Sequence, residues 1–289
     1  MLGLARALRH PLTPERYLPL VVNGETVGQV TRAFADARLA SDPFFCVGNG
    51  AVSLDGTFES ITKKFRQVNE QLREEGLIEG WRDEDFPAIV KFGENPRFIV
   101  ERSAVTFWGL RAHGIHVNVY RQCRDGGIEI FIAKRSASKQ TFPGKLDNCV
   151  AGGQPFNITL MENVVKECNE EASIESATAS LAKPAGCISY MRENSSGLRP
   201  RVMHMFDLEV PSDFFPIPRD GEVESFTPLS PQELLASLES SSSEWKPNSA
   251  LVCASFLVRR GFAVGNHDEE RELFSPNAYA LGDSASLFI

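Results

Sequence analysis

Apolar and polar positions alternate over residues 17–30, YLPLVVNGETVGQV, on both sides of Asn23-Gly24. Alternation sends successive side chains to opposite faces of a strand, and Asn-Gly accepts the positive φ of a tight turn, so a β-hairpin is predicted. The period then lengthens. Phe58, Ile61, Phe65, Val68 and Leu72 recur at three or four residues, which predicts a helix over residues 58–76. Residues 76–103 read as turns and short strands, and AVTFWGLRAHG reads as a short helix leading out to a boundary near residue 110.

Beyond Gly114 the alternation returns in IHVNVYRQ and IEIFIAKRS, joined through Arg124–Gly127 as a hairpin. KQTFPGKLDNCVAGG reads as a loop and a short strand. LMENVVKECNEEAS is helical, with Met161, Val164, Val165 and Cys168 on its apolar side. AGCISYM, VMHMFDLEV and VESFTPL are further strands, SPQELLASLESSSS starts a helix at Ser-Pro, and the run Ser240–Ser243 is a loop. KPNSALVCASFLVRRG is a last amphipathic helix between Pro247 and Gly261. The order predicts an α+β fold: a small α+β unit over residues 1–110, a mixed sheet between helices over 111–265, and a polar tail over 266–289.

Composition narrows the chemistry. A net charge of −8 argues against a broad nucleic-acid surface, and an acidic chain that handles phosphate generally needs a cation. No run of about 18 apolar residues is present, so no membrane span is expected. The opening MLGLARALRHPL lacks the apolar core of a secretory signal and reads as a terminus or first helix; a cytoplasmic location is expected, with organellar targeting left open. The six cysteines form no C-x-x-C pair and are expected to be reduced, mostly buried thiols. His113 and His116 lie in an alternating strand and are expected to be structural.

Glu167, Glu170 and Glu171 raise the question of chemistry. At i, i+3 and i+4 they share one helix face, where like charges repel by a few tenths of a kcal/mol, roughly, per pair. Two readings compete: a solvated acidic face, or a site for a hard divalent cation that takes carboxylate oxygens and substrate phosphates. Gly152-Gly153 ahead of the helix, and the cations and Pro-Gly turn of KRSASKQTFPGKLDN, favour the second. Lys166 is spaced to pair with Glu162 or to orient a neighbouring Glu.

The stretch Gly152–Ile174 resembles the Nudix box, G-x5-E-x7-R-E-U-x-E-E-x-G-U, where U is a bulky apolar residue. Gly152, Glu167, Cys168, Glu170, Glu171 and Ile174 match it, while Ile158 replaces its first Glu, Lys166 its Arg and Ser173 its last Gly. ERSAVTFWGLRAHGIHVNVY, AKRSASKQTFPGKLDNCVAGGQP, KECNEEASI, FDLEVPSDFFPIPRDGEVESF and KPNSALVCASFLVRRG together resemble one Nudix subfamily, over about residues 15–262. Its members are often labelled thiamine pyrophosphokinase-related and carry a DUF4743-type N-terminal domain. Nothing here resembles the catalytic domain of that kinase.

The resemblance implies a Nudix α/β/α sandwich and hydrolysis of thiamine diphosphate, or of oxo- or oxythiamine diphosphate, to the monophosphate. A nucleoside diphosphate derivative as substrate, or a non-catalytic diphosphate-binding module, are the alternatives. It implies Mg2+, with Mn2+ as a substitute, held by Glu167, Glu170 and Glu171, and close backbone approach at Gly152 and Gly153. Glu170, or Glu222 outside the box, is the candidate general base, and Arg135, Lys139 and Lys166 are candidate phosphate partners. Lys246 and Asn248 also match the subfamily. Trp81, Asp83, Glu84 and Trp108 are candidates for recognising the base. The expected partners are a small-molecule diphosphate and, as one option, a second copy of the chain.

Overall fold

The computed structural model describes residues 13–262, apart from 49 and 241. The expectations for residues 1–12 and for the tail at 266–289 lie outside the described residues, and that for Ser240–Ser243 lies partly outside them. Strand β1 (Tyr17–Val22) pairs antiparallel with β2 (Glu25–Thr31) through the predicted turn, where Asn23 and Gly24 have φ of 50° and 82°. β1 also runs parallel to β4 (Val52–Leu54), which pairs with β3 (Cys46–Val47) to complete a four-stranded sheet. Helix α1 (Phe58–Glu74) is capped by Thr57, whose side chain accepts from Ser60 N, and buries Ile61, Phe65, Val68 and Leu72, as its spacing requires. A two-stranded ribbon, β5 (Asp85–Ala88) with β6 (Phe98–Glu101), closes this part.

The helix expected in AVTFWGLRAHG does not form. Only a 3-10 turn at Arg102–Ala104 appears, because Trp108 must reach the core while its carbonyl accepts from Gln29 N at 3.1 Å. Trp108 is fully buried, packs on Phe65 at 4.4 Å and donates its indole N–H to Asn69 Oδ1 at 2.7 Å. Gly109 follows with φ 55°, where a Cβ would overlap the Gln29 carbonyl.

From Ala112 onward a seven-stranded mixed sheet forms the second layer system. Its strands are β7 (Ala112–Gln122), β8 (Ile128–Arg135), β9 (Leu146–Asn148), β10 (Val150–Gly153), β11 (Lys183–Asn194), β12 (Gly197–Val210) and β13 (Val223–Leu229). The order is β11-β12-β7-β8-β13, with β10 on β7 and β9 on β8; only β12 and β7 are parallel. Helix α2 (Leu160–Ala172) covers one face with Val164, Cys168 and Ala172. Helices α3 (Pro231–Ser240) and α4 (Pro247–Arg259) cover the other with Leu234, Leu238, Leu251 and Phe256. The fold is α+β, with this sheet sandwiched between helices. Burial of each such Val, Leu or Phe side chain stabilises the layer by about 1.5–3 kcal/mol.

Glu162 does not meet Lys166. It completes a capping box with Thr159 at the start of α2, accepting from Thr159 N at 2.7 Å. At the other end Ser173 takes the left-handed conformation (φ 54°, ψ 31°) that a glycine adopts freely, and its hydroxyl donates to the Ile217 carbonyl at 2.9 Å. All six cysteines are free thiols; Cys149, Cys168 and Cys253 are buried, whereas Cys46 and Cys187 are exposed, so fewer are buried than expected. Among the described residues no helix is long and apolar enough to cross a membrane. Replacing Trp108 with Ala should lower unfolding free energy by about 3–5 kcal/mol, as for other buried aromatic truncations; urea denaturation followed by circular dichroism measures it.

Candidate active site

The site begins where β10 meets α2. Gly152 and Gly153 pair with Ile115 and Gly114 of β7, so bare backbone faces the first turns of the following helix. The Glu167 side chain lies against Gly152 so closely that a Cβ there would overlap its carboxylate. A Cβ on Gly153 would press on Phe86 at 3.0 Å and on Arg102 at 3.4 Å, both from the N-terminal part of the chain. One residue earlier, Ala151 N donates to Glu171 Oε2 at 2.9 Å. The double glycine therefore forms a cradle for Glu167 on one side and admits the N-terminal part on the other.

The three acids differ in environment. Glu171 is 5% exposed, and burial, reinforced by the charge of Glu167, holds its carboxyl well above the usual carboxylate range. Burial also raises Glu167, although Lys166 opposes the shift. Glu170 has 48% of its side chain exposed. Lys166 Nζ joins two of them, lying 3.2 Å from Glu167 and 2.7 Å from Glu170. With this ammonium between them, the side chains do not converge: among the described residues no three His, Cys, Asp or Glu groups are placed to hold an ion as they stand. The chemistry of the donors nevertheless fits a hard divalent cation. They are all carboxylate oxygens, and among the described residues buried Glu171 has one backbone donor as its only hydrogen-bond partner.

A second charged cluster went unread in the sequence. Asp147, 3% exposed, accepts from Arg135 Nη1 and Lys246 Nζ, each at 2.9 Å, and from the Ser249 hydroxyl. Burial alone would raise its carboxyl, but Lys246, His116, Arg135 and Ser249 together pull it down to about 2. Arg135 also donates to the carbonyls of Thr141 and Phe142 at 2.9 and 3.1 Å. Two of its five N–H groups thus brace the loop ahead of β9 and a third holds Asp147, so the expected phosphate partner is engaged within the protein. His116, buried and held neutral with its pKa lowered to about 4 by burial and by Lys246, bonds Asn148 Oδ1 through Nδ1 at 2.8 Å. Its Nε2 lies 3.4 Å from Asn248 Nδ2, which makes Nε2 the acceptor and Nδ1 the protonated nitrogen. His113 contacts His204 at 3.0 Å. Both histidines are therefore packed into hydrogen-bonded positions, yet both line the cavity. The KPNS motif marked Lys246 and Asn248, but only the folded chain brings them to Asp147 and His116.

Of these groups, Arg135, His113, His116, Lys246 and Asn248 line a cavity of about 660 Å³. The acids of α2 lie in it together with Lys139 and Glu222, which form an ion pair with each other. Burial would raise the Glu222 carboxyl, but that ammonium outweighs it and the net shift is downward. Cys168 is buried between α2 and the sheet, and desolvation, with Glu171 and Glu167 nearby, pushes its thiol far up, which removes it as a nucleophile. Of the four residues expected to recognise a base, only Glu84 lines this cavity. Trp108 is core, while Trp81, under the Arg73 guanidinium at 4.8 Å and bonded to Asp83 at 2.8 Å, lies beside a separate, smaller cavity. Arg82 and Arg102, which the sequence did not single out, reach it from the N-terminal part instead.

Known proteins supply the context for this geometry. Residues 2–112 match the family described as a domain of unknown function, DUF4743. Nudix hydrolase 20, chloroplastic, of Arabidopsis thaliana is 37% identical over 258 residues, covering 85% of this chain and 68% of that protein. Nudix hydrolase 24, chloroplastic, of the same plant is 37% identical over 250 residues, with the same shares of 85% and 68%. Among solved structures, the MutT protein from Methanosarcina mazei Go1 superposes with a TM-score of 0.41 at 16% identity, over 52% of this chain and 95% of that one. Relatives of this identity, matched across both the N-terminal part and the acidic helix, show that the chain belongs to the Nudix hydrolases, enzymes that cut phosphoric anhydride bonds.

Proposed function

We propose that the chain hydrolyses the diphosphate of a small molecule to the monophosphate and phosphate, with a divalent cation at Glu167, Glu170 and Glu171. Nudix hydrolases generally use divalent cations; Mg2+ is the ion proposed here, with Mn2+ able to replace it. The carrying observation is the glycine cradle that sets Glu167 and a buried, poorly compensated Glu171 side by side at the cavity. Residues 1–110 and 111–265 are proposed as the two domains, with the cavity lined from both, and the chloroplastic relatives make an organellar location the one to test first.

The bound cation would neutralise the diphosphate and make a bound water more acidic. The protein groups divide the remaining work. Lys166 releases Glu170 and turns to the phosphate oxygens. Lys139 sits at the cavity beside Glu222 and offers a second ammonium to the same anion. Glu222 is proposed as the general base: its lowered pKa keeps it ionised at neutral pH, and it becomes free to take a proton from water once Lys139 turns to the anion. Glu170 is the second choice, being more exposed and tied to Lys166.

The sequence resemblance points to thiamine diphosphate or its oxidised forms as substrate. A specific observation favours a second reading, a nucleoside diphosphate derivative: Arg192, Arg199 and Arg201 also line the cavity, a poor setting for a cationic thiazolium. Phosphate release should be measured from thiamine diphosphate, oxythiamine diphosphate and a panel of nucleoside diphosphates, with and without Mg2+. The expected result is release that requires the cation and falls about a hundredfold or more in Glu171→Gln, the scale of losing one electrostatic stabiliser. No release from any substrate by a folded protein that still binds Mg2+ would favour a diphosphate-binding module instead.

The raised Glu171 carboxyl has a further consequence for stability. Its folded pKa lies above the unfolded value of about 4.3, so between the two the native state binds more protons than the unfolded state. Relative to Glu171→Gln, the cation-free wild type should therefore lose stability as pH rises through that window, the reverse of a salt-bridged carboxylate. Thermal melts of both proteins in EDTA from pH 4 upward should show the wild type falling progressively below the variant, whereas the buried histidines, with pKa values below their unfolded value, stabilise both alike as pH rises. At neutral pH, Mg2+ should raise the melting temperature of the wild type and leave that of the variant nearly unchanged.

A further inference from the structure

One wall of the cavity has no part in the hydrolytic scheme. In the antiparallel pair β11–β12, Tyr190 lies opposite Arg201 and Arg192 opposite Arg199. Residues two apart on a strand share a face, so these four side chains project together, and all four line the cavity. Arg102 joins them from the N-terminal part. Like charges directly opposite each other weaken a sheet, and little here relieves them. Among the described residues Arg192 and Arg201 have neither a hydrogen bond nor an ion pair. Among the same residues Arg199 donates only to the Thr106 hydroxyl, at 3.2 Å. Arg102 alone has a carboxylate, Glu84 at 2.6 Å, and the nearby Glu193 is engaged by Arg16 at 3.5 Å. Desolvation, with Arg199 and Arg102 close by, pulls the Arg201 guanidinium down to about 10.

We propose that Arg192, Arg199, Arg201 and Arg102 form a subsite for an acidic group, a phosphate or carboxylate, that the substrate carries in addition to the diphosphate held at the acidic end of the cavity. The proposal rests on the hydrolytic reading of that end. Guanidinium forks bind such oxyanions in pairs of charge-assisted hydrogen bonds, and a ligand of this charge removes the repulsion that the empty wall carries. The substrate class that follows is a diphosphate ester with a second anionic site on its organic part. A thiamine-type diphosphate has none.

Two measurements on the full chain test this separately from turnover. The first is binding of inorganic phosphate in EDTA, by calorimetry. The wild type and Glu171→Gln should bind saturably, and Arg199→Gln and Arg201→Met should each bind about tenfold more weakly, the effect of losing one hydrogen bond between charged groups. Both arginine variants should melt no lower than the wild type without ligand, since each removes repulsion; a lower melting temperature would mark the wall as structural and overturn the proposal. The second compares KM, with Mg2+, for an adenosine 5′-diphosphate with and without a 3′-phosphate. The 3′-phosphate should lower KM about tenfold, and Arg201→Met should abolish the difference. Equal KM values in the wild type, or phosphate affinity untouched by both arginine variants, would overturn the subsite. Absence of turnover of these and of every other diphosphate in the panel, with the phosphate results intact, would sink hydrolysis and leave the anion wall supported.

Discussion

Much of the catalytic half is held in place by one buried carboxylate. Asp147 on β9 is almost out of solvent, and a buried charge is tolerated only where partners surround it. Its partners come from separate places: Arg135 from the end of β8, Lys246 and Ser249 from the start of α4. Arg135 in turn grips the carbonyls of Thr141 and Phe142, so the loop that carries Lys139 to the cavity is anchored through the same charge. Removing Asp147 would leave two cations uncompensated, and the sheet, the helix and the loop would lose their common point of reference.

Beside this satisfied cluster lies an unsatisfied one. Glu171 is buried and Glu167 half-buried, both with raised pKa values, and the ammonium that relieves Glu167 comes from the same helix. Fold and site make opposite demands here. The capping box at Thr159, the left-handed Ser173 and the apolar stripe of α2 fix the helix firmly. That rigidity keeps the acids close enough to repel, and it is the condition under which a cation would be held by positioned ligands instead of by collapse around it.

Much of this was legible in the sequence because local rules decided it. Asn23-Gly24, the three-to-four spacing from Phe58 to Leu72, and the spacing of Glu167, Glu170 and Glu171 each depend on a few neighbouring residues. Ser173 in place of glycine signalled a left-handed residue, and φ is 54° there. What stayed hidden depends on contacts across long separations. Trp108 looked like part of a helix until its indole and carbonyl were claimed by Asn69 and Gln29. Arg135 read as a candidate phosphate partner, yet its own partner is twelve residues away across a strand pair. Arg192 and Arg199 become neighbours only through the register of β11 with β12.

The N-terminal part touches the catalytic half at a few defined points. Phe156 N donates to the Asp85 carbonyl at 3.0 Å, Gln140 accepts from Arg82 at 3.3 Å, and Phe86 and Arg102 fill the space left by Gly153. Arg82, Glu84 and Arg102 then face the cavity from the ribbon side. The segment bearing them contributes none of the box acids. The cavity is thus walled from two distant stretches of the sequence, so a substitution on the ribbon can reshape it without moving the acidic helix.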